Sequence, residues 1–182
     1  MSHSNTARML DYWEALRADQ AAPQRASVDP SAFSDLITQA FMIGRGSAGA
    51  HPFRLAGALL EDLHRGPLVG RDFVHLWAGT DRPRIQTAVE AAFSRRKSLI
   101  VAAHGRSLSG AEARFEILLA PLAARPGQVE RMLGFYQPVS PLFRLQNQRI
   151  ERLFLDSVAF ADGGDPLAAP LRLASVDGRL IA

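Results

Sequence analysis

A chain of 182 residues, 47% hydrophobic and 21% charged, has the size and composition of one globular domain with a short extension. It contains no cysteine, which excludes disulfides, thiolate metal sites, cysteine nucleophiles and any photosensor working through a cysteine adduct. Net charge is only +3, and Lys97 is the single lysine, so the basicity reflects arginine's high pKa rather than a strong field.

No apolar run approaches the roughly 20 residues that span a bilayer, and MSHSNTARML lacks a signal peptide's apolar core. The expectation is a soluble cytoplasmic protein with neither a membrane nor a nucleic acid as partner.

Met9, Tyr12, Trp13 and Leu16 are spaced as one apolar helical face, which predicts a helix over 7–17. A polar linker broken by Pro23 follows. Asp29-Pro30 reads as an N-cap and first helical residue, with Phe33, Leu36 and Ile37 on one face of a short helix. Residues 40–43 and 53–56 are short apolar runs around a glycine-rich loop, which predicts two strands. Residues 59–64 suit a short helix ended by Gly66-Pro67. The clearest helix starts at Asp81, a candidate cap, with Ile85, Ala88, Val89, Ala92 and Phe93 on one face.

Three more strands are expected over 98–104, 114–120 and 131–137, joined by glycine- and proline-containing turns that favour antiparallel neighbours. Strands segregated from helices in this order predict an α+β fold, with helices on an antiparallel sheet. Apolar residues occupy both faces of several strands, so each sheet face needs a cover. The N-terminal aromatic helix is a candidate for one of them. After Pro141, Ile150, Leu153, Phe154, Ser157 and Val158 recur at helical spacing, which predicts an amphipathic C-terminal helix. The expected organisation is an N-terminal helix and linker (1–28), a central domain (29–140), the C-terminal helix (141–160) and a flexible tail (161–182). Val176-Asp177-Gly178-Arg179 suits a small turn in that tail.

Five segments in order carry a family resemblance: DYWEALR at 11–17, RASVDP at 25–30, PFRLAGALLEDLHRGPLVGRDFVHLW at 52–77, LLAPL at 118–122 and RMLGFYQPV at 131–139. Over residues 8–140 the chain resembles the stand-alone PAS-domain family of alphaproteobacteria, the PAS_5-like regulatory proteins. The resemblance implies a five-stranded antiparallel sheet with helices over one face. It also implies a regulatory role in signal transduction through protein–protein contacts, and no family-wide ligand.

In such a fold a ligand pocket would lie between the long helix and the sheet. Its candidate residues are Arg54, His75, Trp77, Ile85, Val89, Phe93, Phe115 and Ile117. A filled core is the competing reading of the apolar ones. Arg54 and Arg114 could each grip an acidic ligand, but a cross-strand ion pair is the favoured reading.

His64, His75 and His104 are the candidates for a haem or metal ligand, as in haem-binding PAS relatives. No HxxxH or HExxH spacing supports them, and no cofactor is expected. GRSLSG at 105–110 lacks the GxSxG frame, and Glu61-Asp62 diverge on a helix, so no enzyme is predicted. Trp13, Leu16, Ile150, Leu153 and Phe154 are the candidate interaction surface, in a homodimer or against another signalling protein. Alternatively, the Leu153 stripe packs back on its own sheet. A sensor of a small molecule or haem is the second functional reading.

Overall fold

A computed structural model describes residues 2–125, 128–168, 174–176 and 179–181. Among the described residues there are three α-helices: α1 (Ser4–Arg17), α2 (Ala58–His64) and α3 (Arg82–Arg95). The main sheet is formed by β1 (Ala40–Gly44), β2 (Phe53–Ala56), β3 (Leu99–Arg106), β4 (Glu112–Arg125), β5 (Gln128–Pro138) and β6 (Arg152–Phe160). Their order across the sheet is β2-β1-β5-β4-β3-β6, and every neighbouring pair is antiparallel. A separate two-stranded sheet joins β7 (Ala174–Val176) to β8 (Arg179–Ile181). The expected turn lies between Val176 and Arg179, which are register partners, but its tip is outside the described residues.

Strand alternation sends β4 side chains to both faces of the sheet. On the inner face Phe115, Ile117 and Leu119 meet α3, whose Ile85, Ala88, Val89, Ala92 and Phe93 are all buried as the spacing predicts. Burying each of the larger of these side chains contributes about 1.5–3 kcal/mol. On the outer face Leu118, Ala120 and Leu122 meet Met9 and Trp13 of α1, together with Phe33 and Leu36. The last two lie in a 3-10 segment, Pro30–Gln39, where Asp29 caps Ser31 N at 2.9 Å. The N-terminal helix thus covers the second face. The Trp13 indole donates to the Pro121 carbonyl at 2.8 Å, and Arg8 pairs with Asp35 at 2.7 Å.

Two expectations are corrected. Residues 141–160 are not a helix: a 3-10 turn, Leu142–Leu145, leads into β6, a sixth strand paired along β3. A β-bulge interrupts the strand alternation of this sequence. Ala102 and Ala103 face Ser157 and Leu155, so Asp156 is the extra residue. The core side chains of β6 fall at Leu153, Leu155, Val158 and Phe160, while Phe154 packs on His104, so the expected helical stripe mixes residues of both strand faces. Secondly, the Asp81 side chain does not cap α3; its carboxylate accepts from Leu155 N at 3.0 Å and pins β6 to the start of that helix.

The tail expected over 161–182 is described only at 161–168 and in the β7–β8 pair; residues 169–173 lie outside the described residues. No helix among the described residues is long and apolar enough to cross a membrane.

Candidate functional site

The space between α2, α3 and the inner face is filled by one cluster. Six of the candidate pocket residues, Trp77, Ile85, Val89, Phe93, Phe115 and Ile117, are brought together in it. Two are not. His75 has a side chain 67% exposed, near Asp72 at the surface. Arg54 sits on the edge strand β2 and is exposed. Among the described residues, neither Arg54 nor Arg114 forms the expected cross-strand ion pair. Glu116, which shares Arg114's strand face, instead accepts from His3 N at 2.9 Å.

The candidate interaction surface is mostly interior. Trp13 is buried in the outer-face core, while Ile150 and Leu153 are buried in the inner one. Leu16 and Phe154 are half-buried. Phe154 stacks on His104 at 5.1 Å with Arg106 above it, and His104 is held by Asp156 at 2.8 Å. The alternative reading of the stripe, packing on its own sheet, is the one realised.

The inner core also contains buried polar atoms, on Trp77 and His64, which the sequence offers as candidates, and on Tyr136, which it does not single out. Burial of a hydrogen-bonding atom without a partner costs about 1–3 kcal/mol, so each such atom calls for a cause. Three of them are the Trp77 Nε1, the Tyr136 hydroxyl and the His64 Nε2, none of which has a hydrogen-bond partner. Tyr136 is wholly interior, packed against Phe115 at 4.6 Å and His64 at 6.2 Å. Burial drives its pKa well above the ordinary phenol value. His64 is held neutral, its pKa lowered to about 4 by burial first and by Arg71 second. A hydrogen bond to the Ile150 backbone and the charge of Glu151 oppose this only in part.

A sequence signal existed for both residues. His64 follows Leu60 and Leu63 at helical spacing on the buried side of α2. Tyr136 shares the alternation of Met132 on β5.

Local structure fixes where these heads lie. Trp77 leaves a 3-10 turn capped by Asp72, which accepts from Val74 N at 3.1 Å. The next residue, Ala78, donates to the Leu153 carbonyl at 2.8 Å, tying the turn to β6. The Trp77 ring meets Phe73 edge-on at 5.9 Å. At the other end of α3, His51 is fully buried and stacks on Phe93 at 5.5 Å. Its Nε2 lies 3.2 Å from Glu90 Oε1. Burial lowers its pKa, against the opposing charges of Glu90 and Asp72. His51 thus joins the β1–β2 connection to α3. Among the described residues, no three acidic or histidine side chains form a metal-binding group.

The arrangement is an antiparallel sheet with helices packed over its inner face, the architecture of a PAS domain. The PAS_5 family model, a PAS domain, matches residues 1–137, and the chain belongs to that family. Nothing among curated proteins matches it. Among solved structures it is similar to an RNA-binding light-oxygen-voltage receptor, with 18% identity and a TM-score of 0.49 over 69% of this chain. The chain spans only 38% of that receptor's length. A light-oxygen-voltage domain studied with a flavin analogue is 22% identical at a TM-score of 0.49, over 65% of this chain and 91% of that one. The LOV protein of Rhodobacter sphaeroides is 14% identical at 0.47, over 65% and 72%.

Proposed function

We propose that this chain is a sensory and regulatory PAS module that acts in signal transduction through protein–protein contacts. In this reading a small ligand in the inner core modulates those contacts. The observation that carries the ligand is the set of unpartnered heads on Trp77, Tyr136 and His64. Tryptophan supplies a donor, the tyrosine hydroxyl either role, and the neutral imidazole a further site. All three sit among apolar side chains, which suits a small uncharged molecule with both donor and acceptor atoms. A ligand shifts signalling only by binding two conformations unequally. The ties from Ala78 and Asp81 to β6 offer one route from the core to an edge strand.

The reading assigns no catalytic activity to the chain and takes a homodimer as its working assembly. Native mass spectrometry of freshly purified protein, set against the denatured chain mass, tests both parts. The reading expects a reproducible extra mass that is lost on denaturation, carried on a dimer. A bare chain mass that no panel of neutral metabolites shifts in thermal stability would remove the ligand. A bare monomer at micromolar concentration would remove the homodimer.

A further inference from the structure

The outer face carries a second arrangement, independent of the core reading. β1 ends at Gly44, whose register partner on β5 is Arg131. On the other side of β1 the register jumps: Ile43 faces Phe53 and Met42 faces Leu55, so Arg54 is the extra residue of a bulge. Bulges re-aim a side chain, and here the result is convergence. A methyl group placed on the Gly44 Cα would lie 2.8 Å from Arg131 Nη1 and 3.0 Å from Arg54 Nε. The two guanidinium nitrogens are therefore no more than about 6 Å apart, a distance at which like charges repel.

Several arginines elsewhere on the surface are neutralised by a carboxylate. Arg8 holds Asp35, Arg17 holds Glu14, Arg45 holds Glu90 and Arg106 holds Glu112. Arg131 donates only to the backbone carbonyl of Glu130, at 3.0 Å, and Arg54 makes no ion pair among the described residues. Arg131 is half-buried and Arg54 exposed, so an anion can reach the pair from solvent.

We propose that Arg54 and Arg131, facing each other across the bare Cα of Gly44, bind a phosphate group. Two planar forks present several N–H donors to one anion, the geometry in which arginine outperforms lysine. A phosphate monoester near pH 7 carries close to two negative charges, which balances both guanidinium groups; a carboxylate balances one. Gly44 is what lets both guanidinium groups lie against the strand, since any side chain there would push them away from each other. Inorganic phosphate and a small phosphate monoester share this chemistry.

The test is a titration followed by amide and arginine Nε NMR signals at constant ionic strength, using inorganic phosphate, glycerol phosphate and acetate. Saturable shifts centred on Gly44, Arg54 and Arg131 with both phosphates, and much weaker ones with acetate, are expected. Tighter binding of glycerol phosphate would assign the site to an organic phosphate, and equal binding to the free ion. Arg131→Gln and Arg54→Gln, both at positions with solvent access, should each weaken binding at least about tenfold while leaving the rest of the spectrum in place. Linear, unsaturated shifts, acetate binding as well as phosphate, or an Arg131→Gln variant that binds undiminished would overturn the proposal.

Discussion

The two faces of the sheet are built to different standards of hydrogen bonding. On the outer face the large polar head is satisfied: Trp13 reaches across to the Pro121 carbonyl. What stays unpartnered on or beside that N-terminal layer is a hydroxyl, Thr6, and an amide oxygen, Gln39. On the inner face the Trp77 Nε1, the Tyr136 hydroxyl and the His64 Nε2 are left without partners in or beside an aromatic and aliphatic cluster. The outer face reads as a joint that fastens the N-terminal helix. The inner face reads as a core that retains unmet hydrogen-bonding capacity, and unmet capacity in a buried place is what a ligand can use.

The largest expected effect tests whether β6 belongs to the inner core at all. Leu153 is fully buried there. Leu153→Asp should cost more than about 4 kcal/mol and leave the protein unfolded, because the carboxylate has no partner in that cluster. Circular dichroism of the variant checks this, and a folded, cooperative Leu153→Asp protein would detach β6 from the core.

A smaller effect follows from His64. Its pKa falls from the ordinary 6.5 to about 4 on folding, so the unfolded chain takes up the proton first as the pH drops. Stability is therefore intact above about pH 6.5 and declines progressively to about pH 4, by up to about 3 kcal/mol. His51, also lowered by burial, adds to the same slope. Urea unfolding across this pH range should show the decline, and His64→Leu should flatten much of it. An unchanged slope in His64→Leu would mean that the ring is solvated rather than buried.

Much of this architecture was legible in the sequence, and the exceptions have physical causes. α3 could be read because Ile85, Ala88, Val89, Ala92 and Phe93 keep one unbroken helical rhythm against the sheet. β5 could be read because Met132 and Tyr136 oppose Leu133 and Phe135, and the two cores take one pair each. β6 could not, because Phe154 adds an apolar residue beside Leu153 and the bulge at Asp156 breaks the alternation that marks a strand. The apolar part of the candidate site was legible for the reason α3 was. Its polar part was not, because whether Tyr136 or Trp77 finds a partner is set by atoms far away in sequence. Arg54 reads in the sequence as a pocket residue or an ion-pair partner, since nothing local announces that a bulge turns it toward Gly44 and Arg131.

The contrast between the faces is tested most directly by making the same kind of deletion on each, Trp13→Phe and Tyr136→Phe, in protein dialysed free of small molecules. Trp13→Phe removes a satisfied donor and strands the Pro121 carbonyl, so it should cost about 1–3 kcal/mol in urea unfolding, with some lost packing besides. Tyr136→Phe removes a hydroxyl that bonds to nothing, so it should stabilise the empty protein by about 1 kcal/mol. Opposite signs in the two variants are the predicted result. A loss of stability in Tyr136→Phe comparable to that in Trp13→Phe would mean that the hydroxyl is already satisfied, and would contradict the reading of the inner core as a site with capacity to spare.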